Sequence, residues 1–404
     1  MLIFDTDPGV DDTLALLLLL SEPRVRHELK LVTLTFGNCP LRQTLRNVLS
    51  LFAVLSREQQ DRAREGLQPF TDQRPAVHIG ERGPLTAAQH TAAEGDNAED
   101  VHGSDGLAGV HARHPEFDAP PEWFELFEHG KEGAAAAGAD ADLPFVPGKT
   151  PSYQAILDVL ASEPPNTVTI VAVGPLTNLA LAAEHDLTTF KRVKQVLSMG
   201  AAVRAPGNIT PFAEFNVLAD PLAAAQVYAL TSPHPATTMP AALPLPADGA
   251  NPLNLVLFPL DITMQHQLHL ADVQRALTDH GTRRKSVLAQ WVGAWLVPAF
   301  SNYGRITGHG PENAVVSLHD PLTAMYALEP ALGWTVERLD VRVETEGQWT
   351  RGMTVIDRRA LPRGPRANDR GLWLTPGEGN DVGIVVDSPI KRDFCAMLLA
   401  RVLG

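Results

Sequence analysis

Leu2-Ile3-Phe4-Asp5-Thr6-Asp7-Pro8-Gly9-Val10-Asp11-Asp12-Thr13-Leu14-Ala15-Leu16 is the stretch on which the reading of the chain turns. Three apolar residues end abruptly in acidic ones, the pattern of a short buried strand whose carboxyl end carries polar groups. Pro8-Gly9 turns the chain. Asp11 and Asp12 then stand in the first turn of a predicted helix, where the helix dipole favours negative charge.

The same order recurs downstream. Leu29 to Phe36 ends at Gly37-Asn38, and helical spacing follows over Thr44 to Leu55, with Leu45, Val48, Leu49, Phe52 and Leu55 on one side. Val168 to Val173 breaks at Gly174-Pro175 before a helical stretch, Leu176 to Glu184. Val193 to Met199 ends at Gly200. Continuous apolar strands alternating with helices imply a parallel sheet covered on both faces. The expected fold is α/β: a single-domain, open, mostly parallel sheet with helices on both faces and a Rossmann-type core. Ligands on such sheets sit beyond the carboxyl ends of the strands. After Trp334, Val336 to Glu344 and Met353 to Asp357 alternate as strands, and Ser388 to Leu403 reads as a closing helix. Residues 1–404 read as one domain. Within it, 114–151 and 232–252, rich in Ala, Gly and Pro, read as inserted surface loops.

Composition narrows the function. Lys plus Arg is 33 against 47 Asp plus Glu, a net charge of −14. That balance argues against nucleic acid or an anionic membrane as partner, since both attract basic surfaces. It leaves room for a small neutral ligand and a pocket that holds a cation. No basic segment precedes Asp5, unlike a signal peptide, and the apolar run Leu14 to Leu20 is too short to span a bilayer. The chain reads as soluble and cytoplasmic, with Cys39 and Cys395 as free thiols.

Asp5, Asp7, Asp11 and Asp12 crowd one strand-to-helix turn. Alone they repel, and each raises its neighbours' pKa values. A hard cation bound by oxygen removes that penalty, which points to calcium or magnesium. The plain alternative is a solvated acidic turn with helix-capping aspartates.

Asp5-Thr6-Asp7-Pro8-Gly9-Val10-Asp11-Asp12 resembles the signature of the inosine–uridine-preferring nucleoside hydrolases: Asp, a small residue, Asp, Pro, Gly, any residue, Asp, Asp. Later segments are similar to the family in the same order. They are Leu34-Thr35-Phe36-Gly37-Asn38, Val101-His102-Gly103-Ser104-Asp105-Gly106-Leu107, Val173-Gly174-Pro175-Leu176-Thr177-Asn178, Met199-Gly200 with Asn208 and Ala213-Glu214-Phe215-Asn216, and Leu318-His319-Asp320-Pro321. One departure stands out: Ala201-Ala202 follow Met199-Gly200, where the family usually has a second glycine.

The resemblance implies hydrolysis of the N-glycosidic bond of ribonucleosides to free base and ribose. It implies Ca2+ held by Asp7, Asp12, Asp320 and the main-chain carbonyl of Val173, shared with water and the ribose 2′- and 3′-hydroxyls. Asp7 would take the proton of the attacking water. Asp11, Asn38, Asn208, Glu214 and Asn216 would bind the ribose, with Met199 packed on the sugar. Carboxylates around the anomeric carbon suit an oxocarbenium-like transition state. His319 would protonate the leaving base, with Tyr303 as a loosely aligned helper, and Asp5 would orient its neighbours. The implied partner is a ribonucleoside of open base preference, and the implied assembly a homodimer or homotetramer.

Other features have bland readings. His266 and His269 read as surface residues on a helix rather than zinc ligands. Trp291 and Trp295, four apart, suit core packing on one helix face, in a segment that lines the base pocket in the family. Two rival functions are a magnesium phosphatase of the haloacid dehalogenase type, which also starts with Asp-x-Asp after a strand, and a non-catalytic nucleoside or ribose sensor on the same scaffold.

Overall fold

The computed structural model describes residues 1–86, 97–127, 143–241, 243, 251–282, 286–364 and 366–404. Its strands are β1 (Leu2–Thr6), β2 (Leu29–Leu34), β3 (Ala76–Ile79), β4 (Val146–Pro147), β5 (Thr169–Ala172), β6 (Gln195–Met199), β7 (Leu255–Phe258), β8 (Gln267–His269), β9 (Val315–Ser317), β10 (Thr335–Leu339), β11 (Arg342–Val343), β12 (Thr354–Val355) and β13 (Val382–Asp387). Among the described residues nine of them form one sheet in the order β10-β13-β7-β6-β5-β1-β2-β3-β4. Every pairing in it is parallel except that of β10 with β13 at the edge. Strands β8 with β9, and β11 with β12, form separate two-stranded ribbons.

β1 is buried along its whole length. Its alternation assigns the two cores: Leu2 and Phe4 join one, Ile3 the other. The first core takes the helices Val10–Ser21, Leu41–Arg64, Val287–Thr307, His319–Leu328 and Phe394–Leu403. The second takes Ser152–Ser162, Thr177–His185 and Pro221–Ala229. Val10 to Leu20 is buried at every position, so the leucine run is apolar all round because it is covered all round. Among the described residues no helix is long and apolar enough to cross a membrane.

From β1 the chain moves out through β2, β3 and β4, then returns to start again with β5 on the other side of β1. Such a reversal opens a crevice at the carboxyl ends of the two strands, the usual ligand position on sheets of this kind. The segments Asp7–Asp12, Gly37-Asn38, Val173-Gly174 and Gly200 all leave the sheet at this end.

Several boundaries differ from the sequence reading. The second helix starts at Leu41, just after Pro40, and runs to Arg64. The closing helix starts only at Phe394, because residues before it complete β13 and then turn at Pro389. The predicted strand over Val336 to Glu344 is broken into β10 and β11 at Asp340, whose carboxylate accepts bonds from Arg342 and from the Asn380 N–H. β7 and β13 are core strands that the sequence reading did not place. His266 is not a surface residue: it is 1% exposed, lies between Ile262 O and Ser388 Oγ, and meets Phe394 edge-on. Burial here is decided by the closing helix folding over it. His269 is exposed at the end of β8.

Of 114–151, residues 128–142 lie outside the described residues, as do 242 and 244–250 of 232–252. Within the first stretch Trp123, Phe127 and Phe145 turn inward, and Phe145 meets Phe52 at 5.3 Å between ring centroids.

The departure at Ala201 has a conformational consequence. Ala201 has φ 80°, a left-handed conformation that favours glycine. Its N–H donates to Glu214 Oε2 and its carbonyl accepts from Leu260, so both sides of the residue are pinned. Replacing it by Gly relieves about 1–2 kcal/mol of strain, loses about 0.8 kcal/mol from one buried methyl, and adds about 0.5–1 kcal/mol of unfolded-state freedom. The three nearly cancel. Ala201→Gly is expected to change unfolding free energy by less than about 1 kcal/mol, whereas Ala201→Val, β-branched at positive φ, costs at least about 2 kcal/mol. Denaturant titration of the two variants checks this.

Candidate active site

The acidic residues arrive from separated parts of the chain. Asp7 follows β1, Asp11 and Asp12 occupy the first turn of Val10–Ser21, and Asp320 the first turn of His319–Leu328. These two helices pack side by side. The result is a buried group in which Asp11, Asp12 and Asp320 each place an oxygen within 4.8 Å of the others.

Asp12 is fixed by four donors. Thr6 Oγ1 at 2.6 Å and the Asp7 N–H at 3.3 Å reach its Oδ1; the Gly9 N–H at 3.0 Å and Asn38 Nδ2 at 2.7 Å reach its Oδ2. Asp7 Oδ2 accepts the Asn38 N–H at 2.7 Å. The other oxygen, Asp7 Oδ1, is buried without a hydrogen-bond partner. It lies against Gly174, the residue after Val173, where a Cβ would come within 2.5 Å of it. Gly37 is required for the same reason, since its Cβ would fall 2.0 Å from Asp7 Oδ2.

Burial first, and the neighbouring carboxylates second, push Asp7, Asp11 and Asp320 up. Asp11 rises to about 7, and Asp7 and Asp320 rise well above the ordinary carboxylate range. Among the described residues no Lys or Arg is ion-paired with Asp7, Asp11, Asp12 or Asp320. Oxygen-only donors, mutual repulsion and an orphaned buried oxygen together fit a hard divalent cation.

Two histidines border the acids. The Val10 N–H donates to His102 Nδ1 at 3.2 Å, so the proton of a neutral His102 sits on Nε2. Burial lowers His102 to about 4, opposed by the charge of Asp12. His319 pairs through Nδ1 with Thr263 Oγ1 at 2.7 Å, and burial followed by His102 lowers it to about 4 as well. Tyr303 closes the group: burial, then Asp11, Asp320 and Asp12, raise its hydroxyl well above 10.

The remaining candidates form a second wall. Asn216 Nδ2 donates to Val173 O at 2.8 Å and touches Met199 O and Sδ. Glu214 caps Phe215–Ala219: its Oε1 accepts from the Asn216 N–H, and its Oε2 accepts from Val217 and Ala201. Met199 is buried where β6 ends. Asn208 stands apart. It is exposed, and its Oδ1 accepts the Phe215 N–H, which ties its loop to the wall without placing its side chain among the acids. Asp5 serves the scaffold: Thr33 Oγ1 and Asn178 Nδ2 donate to its Oδ1, joining β1 to β2 and to Thr177–His185, and burial raises it to about 7. Trp291 and Trp295 are fully buried and meet edge-on at 5.7 Å, as core residues do.

A family model described as inosine-uridine preferring nucleoside hydrolase matches residues 2–381. The chain belongs to that family. The pyrimidine-specific ribonucleoside hydrolase RihA of Salmonella paratyphi B is 31% identical over 356 residues, covering 88% of each chain. An uncharacterized protein of Schizosaccharomyces pombe is 31% identical over 357 residues, again covering 88% of each. Among solved structures, a plant nucleoside hydrolase aligns with a TM-score of 0.68 at 23% identity, over 100% of this chain and 98% of that one. A purine-preferring ribonucleoside hydrolase from Gardnerella vaginalis aligns at 0.66 and 22%, over 100% and 98%. These two show the fold.

This nucleoside hydrolase is therefore an enzyme acting on N-glycosyl bonds of ribonucleosides, and the phosphatase and sensor readings fall away. Sequence reasoning gave His102 no role although its motif was visible, because nothing local says that its Nδ1 accepts the Val10 N–H. Thr263 behind His319 carried no signal at all.

The Gly174 contact is testable. Gly174→Ala pushes a methyl into Asp7 Oδ1, and calorimetric titration with Ca2+ is expected to show at least a tenfold weaker Kd. Unchanged affinity would exclude Asp7 Oδ1 as a ligand.

Proposed function

We propose that this hydrolase cleaves pyrimidine ribonucleosides with the help of Ca2+ held by Asp7, Asp12, Asp320 and the Val173 carbonyl. The observation that carries the reading is the burial of these carboxylates around an unpartnered Asp7 Oδ1, beside two neutral histidines. When bound, the ion would supply the charge that gathers a water and the ribose 2′- and 3′-hydroxyls.

The chain's own residues divide the rest. Asp7 Oδ1 takes a proton from the attacking water. Asp11, Asn38, Glu214 and Asn216 hold the sugar hydroxyls, with Asn208 reaching them from its loop, and Met199 covers the ring. The carboxylates stabilise positive charge as it grows on the ribose. On the opposite side, His319 uses Nε2 toward the departing base, because Nδ1 is engaged by Thr263. Held near 4 by burial, His319 and His102 are neutral at pH 7; His102 carries its hydrogen on Nε2, and His319 does so when Thr263 Oγ1 donates to its Nδ1. An N–H aimed at the base stabilises the negative charge that builds there as the C–N bond breaks.

The pyrimidine preference follows the RihA relatives at 31% identity. The setting stays cytoplasmic, in keeping with the free thiols Cys39 and Cys395, and the assembly a homodimer or homotetramer.

Chromatography of free base and ribose from uridine, cytidine, inosine and adenosine, with and without chelator, tests the proposal. Uridine and cytidine are expected at least tenfold ahead of inosine in kcat/KM, with turnover lost on chelation, restored by Ca2+, and absent in Asp7→Ala. Chelator-insensitive turnover would remove the metal, and inosine in first place would remove the base preference. His319→Ala is expected to slow uridine about 10²-fold and p-nitrophenyl riboside less than about threefold, because that leaving group departs without a donor. Equal slowing of both takes His319 out of the role.

A further inference from the structure

We propose that Asn47 is a positioning residue that, together with His111, sets where His102 stands over the acidic turn. The proposal rests on the reading of His102 as an arm that assists the departing base.

Asn47 lies on the helix Leu41–Arg64 and is 1% exposed. Its Nδ2 donates to Pro8 O at 2.7 Å and to Asp105 O at 2.9 Å. One amide thus ties the turn that carries the carboxylates to the segment that carries His102. That segment is a rigid unit in its own right. The Asp105 carboxylate accepts from the N–H groups of Leu107, Gly109 and His111, and the Ala108 N–H donates to His102 O at 2.6 Å. A shift at Asp105 therefore carries His102 with it. Gly106, at φ 80°, lets the unit lie directly on Asn47, since a Cβ there would come within 2.8 Å of Asn47 Nδ2 and Cys39 Sγ.

The amide has two orientations, and only one of them works. With both hydrogens given to carbonyls, Asn47 Oδ1 has to accept. The group that faces it is His111 Nε2 at 2.7 Å, and a hydrogen on Nε2 satisfies this orientation. His111 Nδ1 in turn faces Asp118, whose other oxygen accepts from Arg46 Nη2 at 2.6 Å. Adjacent residues of one helix thus reach the segment that bears His102, Asn47 directly at Asp105 and Arg46 through Asp118 and His111. None of them has to touch the substrate for their loss to be felt. Displacing an assisting group by about 1 Å reduces a rate by about 10²-fold, and only for substrates whose leaving group requires that assistance.

The test uses the full chain loaded with Ca2+, with uridine and p-nitrophenyl riboside as substrates. Asn47→Leu and His111→Phe are expected to lower kcat on uridine at least tenfold with KM within about threefold, and to lower p-nitrophenyl riboside turnover less than threefold, at unchanged Ca2+ affinity. His111→Gln, whose amide N–H reaches Asn47 Oδ1 as Nε2 does, is expected to restore most of the uridine rate. Should Asn47→Leu fail to fold, the His111→Phe and His111→Gln pair decides alone. Equal slowing of both substrates, or no difference between those two His111 variants, overturns the proposal. His102→Ala separates the levels: if it slows uridine selectively and the Asn47 and His111 variants do not, the positioning role falls while the reading of His102 stands; if it does not, both fall.

Discussion

Carboxylates of like charge buried at one point are the constraint around which this molecule is organised. Asp7, Asp11, Asp12 and Asp320 lie out of water, among the described residues with no Lys or Arg paired to them, and burial and repulsion together drive Asp7, Asp11 and Asp320 toward the protonated form. A fold maintains such a group only by holding each member through bonds that do not neutralise it. Asp12 shows how. Its four donors are two backbone N–H groups, a hydroxyl and an amide, all neutral. Such donors bring no positive charge of their own, so the mutual repulsion of the group becomes affinity for a cation.

The same burial acts in the opposite sense on the histidines. Desolvation penalises whichever form is charged, so it raises the acids and lowers His102 and His319. One buried group therefore brings carboxylates and neutral imidazoles together. In the proposed mechanism these two groups of residues would serve opposite ends of the bond to be broken. Glycines at 37 and 174 allow backbone to approach Asp7 where a side chain would collide.

How much of this was legible depended on distance along the chain. The acidic turn could be read because strand, turn and capping aspartates are consecutive. The parallel sheet could be read from runs such as Val168 to Val173, since strands buried on both faces leave no polar alternation. The resemblance placed Asp320, Glu214 and Asn216 near the turn, and the packing of Val10–Ser21 against His319–Leu328 puts Asp320 there physically. Other features were not legible for lack of that packing. His266 looked exposed because its cover, Phe394, lies far along the chain. Nothing along the chain showed that Asn208, implied as a sugar ligand, accepts the Phe215 N–H through its Oδ1. Ala201 was noticed only as a missing glycine, and its positive φ came with the loop between β6 and Glu214.

The sequence by itself determined the class of fold, the acidic turn and the chemistry its oxygens favour, because each depends on residue type and near-neighbour spacing. Only the tertiary structure decided which oxygen of Asp7 is left without a partner, which nitrogen of His102 carries the proton, and that Asn47 joins two loops. Those are matters of a few tenths of an ångström between segments distant in the chain. Hydrogen bonds and burial act at that scale, and spacing along a chain does not encode it.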